Sequence, residues 1–178
     1  MTWYIVLIVA VVIAIGLSLA AILTKRPWLA APSLLPVFAA IATAGWLEGN
    51  GYLVAAITLL GVIAGSPIVA LILKLATSET VELGSYGGIL VKDSTSKAPQ
   101  RSHEVLRGGA TIGYLERFAL IGTVLVGQPA AVAIIVAIKG LGRFSELESS
   151  QARERFIIGT LASLAWAGTC ATAAALSW

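Results

Sequence analysis

The chain has 178 residues, of which 58% are hydrophobic and only 12% charged, roughly half the charged share of a typical soluble domain. A mean hydropathy of +0.92 leaves too little polar surface to cover a water-soluble fold, so the composition points to a bundle of membrane helices. The net charge is +3 and there is one cysteine, Cys170, which excludes a disulfide framework or a cysteine-rich metal site within one chain and reads as a small buried hydrophobe.

A helix needs about 20 apolar residues to cross the hydrocarbon, and its backbone groups must be satisfied within the segment. Residues 3–23 meet this without a charge. They form a longer run than a signal core, no Lys or Arg precedes them, and they read as an anchor helix despite the weak cleavage-like Ser18-Leu19-Ala20. Thr24-Lys25-Arg26-Pro27 closes that run. A second helix is expected over 29–47, with Pro32 and Pro36 near its start. Glu48-Gly49-Asn50-Gly51 is a tight polar turn into a third helix over 52–73, where Pro67 predicts a kink. Residues 76–109 hold Ser, Thr, Gly and mixed charges and form a polar loop, in which only 81–91 has strand character. A fourth helix over 110–126 turns through Gly127-Gln128-Pro129 into a fifth over 130–144. After a polar turn, a sixth covers 152–176.

Charge orders these six segments. The 12 basic residues fall into three alternate regions: Lys25 and Arg26; Lys74, Lys92, Lys97, Arg101, Arg107 and Arg117; then Lys139, Arg143, Arg153 and Arg155. The first turn-free end, the Glu48 and Gln128 turns and Leu176-Ser177-Trp178 carry none. Lys and Arg are retained on the cytoplasmic side. The expected fold is therefore an all-α, six-helix polytopic bundle, N-out and C-out, forming a single domain with a cytoplasmic loop over 76–109. The same asymmetry, with acids interspersed, argues against nucleic-acid binding.

Charges inside spanning segments are costly and are functional candidates by default. Glu116 lies 11 residues before Gly127, and Lys139 lies 11 after Gln128; at the helical rise each is about 16 Å from the turn. In a hairpin they share one depth. Arg143 is one turn from Lys139 on the same face. Arg117 points about 100° away from Glu116 and is expected to snorkel toward the inner surface. Two readings follow: an ion- or proton-responsive site or an anion pocket made by Lys139 and Arg143, or a structural ion pair that sets the hairpin register.

Small residues suggest where helices approach. Gly159, Ser163 and Ala167 recur at four-residue spacing with Thr160 beside them, and Gly61–Gly65 and Gly109–Gly113 repeat the spacing. The fourth, fifth and sixth helices are expected to pack as one unit, with Gly159 and Ser163 at its closest crossing. His103 stands alone in the loop without a second ligand at metal spacing. No phosphate-loop or nucleophile-elbow pattern occurs, so no catalytic residue, metal or cofactor is assigned.

The order Ile112-Gly113-Tyr114-Leu115-Glu116-Arg117, Gly127, Lys139, Arg143-Phe144, Glu154 and Gly159-Thr160-Leu161-x-Ser163 resembles the C-terminal membrane region of an uncharacterised family of bacterial inner-membrane proteins. The resemblance covers residues 109–163. It implies a bacterial cytoplasmic-membrane location and joint use of Glu116, Lys139, Arg143 and Glu154, although Arg153-Glu154-Arg155 is more basic than the pattern. Three functions stay open. The first is a non-enzymatic scaffold, assembly factor or small subunit, partnered by other membrane chains or by copies of itself. The second is an ion or small-solute carrier using the intramembrane charges. The third is a lipid-headgroup enzyme at the cytoplasmic face.

Overall fold

A computed structural model describes residues 2–46, 49–76, 89–90, 104–105, 109–143 and 150–178. Among these, α1 is Thr2–Thr24, α2 Leu34–Ala42, α3 Gly51–Ala76, α4 Gly109–Leu125, α5 Ala131–Arg143 and α6 Ser150–Leu176. A 3-10 helix, Pro27–Ser33, leads into α2. Of the expected polar loop, only β1 (Ile89–Leu90) and β2 (Glu104–Val105) are described; they pair antiparallel. Three helices are long and apolar enough to cross a membrane: Trp3–Thr24, Gly51–Ala76 and Arg153–Leu176.

The helix expected over 29–47 is instead a 3-10 turn followed by a short α-helix. Pro32 and Pro36 remove two rungs of the same hydrogen-bond ladder, and each disfavours α geometry in the residue before it. The tighter 3-10 pattern takes over, with the buried Ser33 hydroxyl donating to the Ala30 carbonyl at 2.6 Å. At its far end α2 stops at Ala42. Gly45 adopts φ +85 there, a left-handed conformation that ends a helix at little steric cost.

On α1 the buried positions Leu7, Val11, Ala14, Ser18 and Ala21 form one stripe, alternating steps of three and four along a single helical face. The opposite face exposes Ile5, Val9, Val12 and Leu19, an apolar surface far larger than water tolerates on a monomer. From the end of α1 the chain turns back, and the 3-10 helix and α2 return along it.

α3 is the centre of the bundle and packs on α1, α4 and α6. Its start is capped by Asn50, whose side-chain oxygen accepts from the backbone N–H of Tyr52 at 3.0 Å and Leu53 at 3.2 Å. The Asn50 N–H donates to the Ser177 carbonyl at 2.9 Å, which ties the start of α3 to the end of α6. Gly49 makes this approach possible, since a Cβ there would lie 2.5 Å from the Trp178 carbonyl carbon. Gly61 faces Cys170 and Gly159 faces Val69 and Leu73, so α3 and α6 run antiparallel along their whole length. By the same reading Ile121 lies level with Gly61, and Arg117 with Gly65. α4 therefore runs antiparallel to α3 and parallel to α6.

Between α3 and α6 the tight approach lies at Gly61 rather than at Gly159. A Cβ on Gly159 would make ordinary contacts of 3.6 and 3.7 Å with Val69 and Leu73. One on Gly61 would fall 2.7 Å from Ile121 Cδ1 and 2.9 Å from Cys170 Cβ. Three helices meet at Gly61, and only a hydrogen fits between them. The Trp166 indole N–H reinforces the crossing by donating to the Gly61 carbonyl at 2.9 Å. Cys170 is fully buried beside it.

Candidate functional site: charges at the middle of the helices

Arg117 is the middle residue of α4, and Ser163 is the middle residue of α6. Ser66 lies within three residues of the middle of α3. The structure gathers all three at one point. Arg117 Nε donates to the Val62 carbonyl at 2.9 Å, Nη2 to Ser66 Oγ at 2.8 Å and Nη1 to Ser163 Oγ at 3.4 Å. Its guanidinium carbon also stands 5.2 Å from the centre of the Tyr114 ring, within cation–π range. Arg117 is 4% exposed, so it is buried in the bundle and does not snorkel to the inner surface.

Two glycines explain the difference. On a helix the side chain leans toward the N-terminus, over the residue four places earlier. For Arg117 that residue is Gly113, where a Cβ would approach Nη1 to 3.2 Å. Across the interface a Cβ on Gly65 would fall 2.4 Å from both Cδ and Nε. The small residues at 65 and 113 thus make room for a guanidinium rather than for a backbone. The acceptors are all neutral, and among the described residues no carboxylate pairs with Arg117. A carbonyl on α3 has a lone pair to spare beyond its helical bond, and the two hydroxyls complete the set.

Glu116, about 100° round the helix from Arg117, faces the other way. Lys139 of α5 donates to its carboxylate. The two side chains are 16% and 17% exposed, so the pair is only partly shielded. α4 therefore carries two adjacent charges at mid-helix with separate duties: Arg117 ties it to α3 and α6, and Glu116 ties it to α5. Among the α5 residues whose side chains are described, none is buried, and Lys139 joins the helix to α4 through the ion pair.

The Arg143 side chain, like His103, is outside the described residues. Glu154 is exposed near the start of α6, nine residues before Ser163 and so about 14 Å along the axis from the mid-helix charges. It lines a shallow surface groove with Arg153, Ile157 and Ile158. Thr160 is half-buried, Ala167 is buried, and Gly109 opens α4. Sequence reasoning missed Ser66, Tyr114 and Trp166. The spacing that points to them is a glycine four residues before an arginine, with Gly65-Ser66 and Ser163 at the middle of two other apolar helices.

Compared with known proteins, the chain matches no family model, no curated protein and no solved structure.

Proposed function

We propose that this chain is a non-enzymatic component of the bacterial cytoplasmic membrane, crossing it six times with both ends outside, and serving as a scaffold, assembly factor or small subunit for another membrane chain. The observation that carries the reading is that the mid-helix charges are engaged within the chain. Glu116 holds Lys139, and Arg117 holds Val62, Ser66 and Ser163. Their use is to bind four helices together, at the depth where an unshared charge costs about 2.5–3.5 kcal/mol on insertion scales.

Lengths support six crossings. The 3-10 helix of seven residues rises about 14 Å and the nine-residue α2 about 13 Å, together close to the roughly 30 Å of hydrocarbon. α4 reaches about 26 Å and α5 about 20 Å; a short α5 is accommodated by local thinning of the bilayer. Gly159 beside Val69 and Leu73 sets Lys74 and Arg153 at one end of the α3–α6 pair, and the Asn50–Ser177 hydrogen bond sets Asn50 and Trp178 at the other. That division is the one the positive-inside rule requires. The resemblance of residues 109–163 to bacterial inner-membrane proteins supports the location.

The short α5 offers the face for a partner, since Ile134, Ile138 and Leu141 are exposed and α5 packs chiefly on α4. A photo-crosslinking amino acid at Ile138 should yield one discrete protein adduct in growing cells, and the same label at Val9 should not. Lipid adducts alone at Ile138 would overturn the scaffold reading.

One observation favours the carrier reading: among the described residues, no carboxylate stands within ion-pair distance of Arg117, which is held by neutral acceptors. Under that reading, proteoliposomes with the purified chain pass an anion, and Arg117→Gln abolishes the flux.

A further inference from the structure

Three residues that weaken a helix stand in a row near the middle of α3: Gly65, Ser66 and Pro67. Pro67 has no N–H for the Ile63 carbonyl, and its ring crowds that carbonyl. Gly65 loses the most backbone freedom on entering a helix, and the Ser66 hydroxyl competes for backbone bonds. Prolines and Gly/Ser pairs are the usual places where helices bend sharply, and here the two coincide. Even so, α3 is continuous from Gly51 to Ala76.

Donors from two other helices brace this stretch. The two carbonyls just before Ile63 each accept from outside α3: Gly61 from the Trp166 indole N–H of α6 at 2.9 Å, and Val62 from Arg117 Nε of α4 at 2.9 Å. Arg117 Nη2 donates in turn to Ser66 Oγ at 2.8 Å. One guanidinium thus holds positions 62 and 66 together, the same four-residue step that a helical rung spans.

The two halves of α3 are anchored unequally. The N-terminal half is tied to α6 by the Asn50–Ser177 hydrogen bond at 2.9 Å and by the close approach of Gly61 to Cys170. The C-terminal half, 67–76, meets α6 at Gly159, where even an added Cβ would find only ordinary contact with Val69 and Leu73.

We propose that α3 is hinged at Gly65-Ser66-Pro67 and that Arg117 and Trp166 latch the hinge, so that withdrawing them lets 67–76 swing off α6 and opens the bundle at its Lys74 end. A hinge is a few residues that absorb the change in backbone angles while the segments they join keep their form. The segment 67–76 is about 15 Å long, so a bend of about 20° displaces its far end by about 5 Å. This movement goes beyond the scaffold and carrier readings and depends on neither.

The test measures distances between spin labels on the full chain in nanodiscs by double electron–electron resonance. Cys170→Ala keeps the Cβ that packs on Gly61 and leaves only introduced cysteines to label. One pair, at the exposed Leu75 and Ile157, reports the Lys74 end; the other, at the exposed Tyr52 and Leu176, reports the opposite end. The parent should give one narrow distance at each pair. Arg117→Ala should add a population about 5 Å longer at the first pair and leave the second pair unchanged. Trp166→Phe removes the other donor while keeping an aromatic ring in place; it should add a smaller population of the same kind, and it carries the test if Arg117→Ala does not fold. Pro67→Ala restores an N–H to the Ile63 carbonyl, so combining it with either variant should return the first pair to its narrow distance. Absence of the longer population in whichever latch variants fold would overturn the proposal. So would equal broadening at both pairs, which marks general loosening, or a longer population that survives Pro67→Ala, which places the movement outside the hinge.

Discussion

Adding one methyl group at Gly65 should break the central hydrogen-bond set. In Gly65→Ala the new Cβ would stand 2.4 Å from Arg117 Cδ and Nε, well inside contact distance, so the side chain must leave. The bonds it gives up first are those on the α3 side, Nε to the Val62 carbonyl and Nη2 to Ser66. A hydrogen bond to a charged group contributes about 1.5–3 kcal/mol net. Two of them lost, with partial recovery as Ser66 bonds its own helix, amount to a cost of about 2–4 kcal/mol. Arg117→Ala removes the obstructing side chain, and in that background the same methyl group enters empty space and should cost about zero. The cycle of Gly65→Ala, Arg117→Ala and the double variant, read as unfolding in bicelles, should therefore show coupling of at least about 2 kcal/mol. Additive losses would refute the idea that Gly65 is there to admit the guanidinium.

Three further outcomes are expected. Replacing Glu116 or Lys139 alone by an apolar residue strands the other charge; breaking a fully buried pair costs about 3–5 kcal/mol, and partial exposure reduces this to about 1–3 kcal/mol. Replacing both should cost much less, and simple additivity in unfolding experiments would show that the pair contributes nothing. Gly61→Ala should destabilise the bundle by about 1–3 kcal/mol through overpacking against Ile121 and Cys170, while Gly159→Ala should cost under about 1 kcal/mol; reversed ranks in thermal melts would mislocate the crossing. Reporter fusions at Asn50 and Gln128 should read periplasmic, and those at Lys97 and Ser149 cytoplasmic; a cytoplasmic reading at Gln128 would eliminate the α4–α5 hairpin as a pair of crossings.

Composition and residue order alone located the apolar segments. Five of the six expected helices begin and end within three residues of those observed, because a run of apolar residues bounded by turn chemistry declares a helix locally. Equal counting from Gly127 and Gln128 likewise put Glu116 and Lys139 at one depth, since rise per residue is a property of one helix. The second segment was less legible: how two prolines share a hydrogen-bond ladder with the residues between them is a matter of cooperative geometry, and hydropathy does not register it. What only the tertiary structure decided is the direction of Arg117. Its position on α4 permits either a path along the helix to the inner surface or a turn into the bundle. The choice depends on Gly65, Ser66 and Ser163, which lie 51 or more positions away from it or 46 beyond it in the chain. The buried Arg117 cation needs the acceptors on α3 and α6 and the room left by Gly65 on α3, and these converge on it only once α3, α4 and α6 have packed.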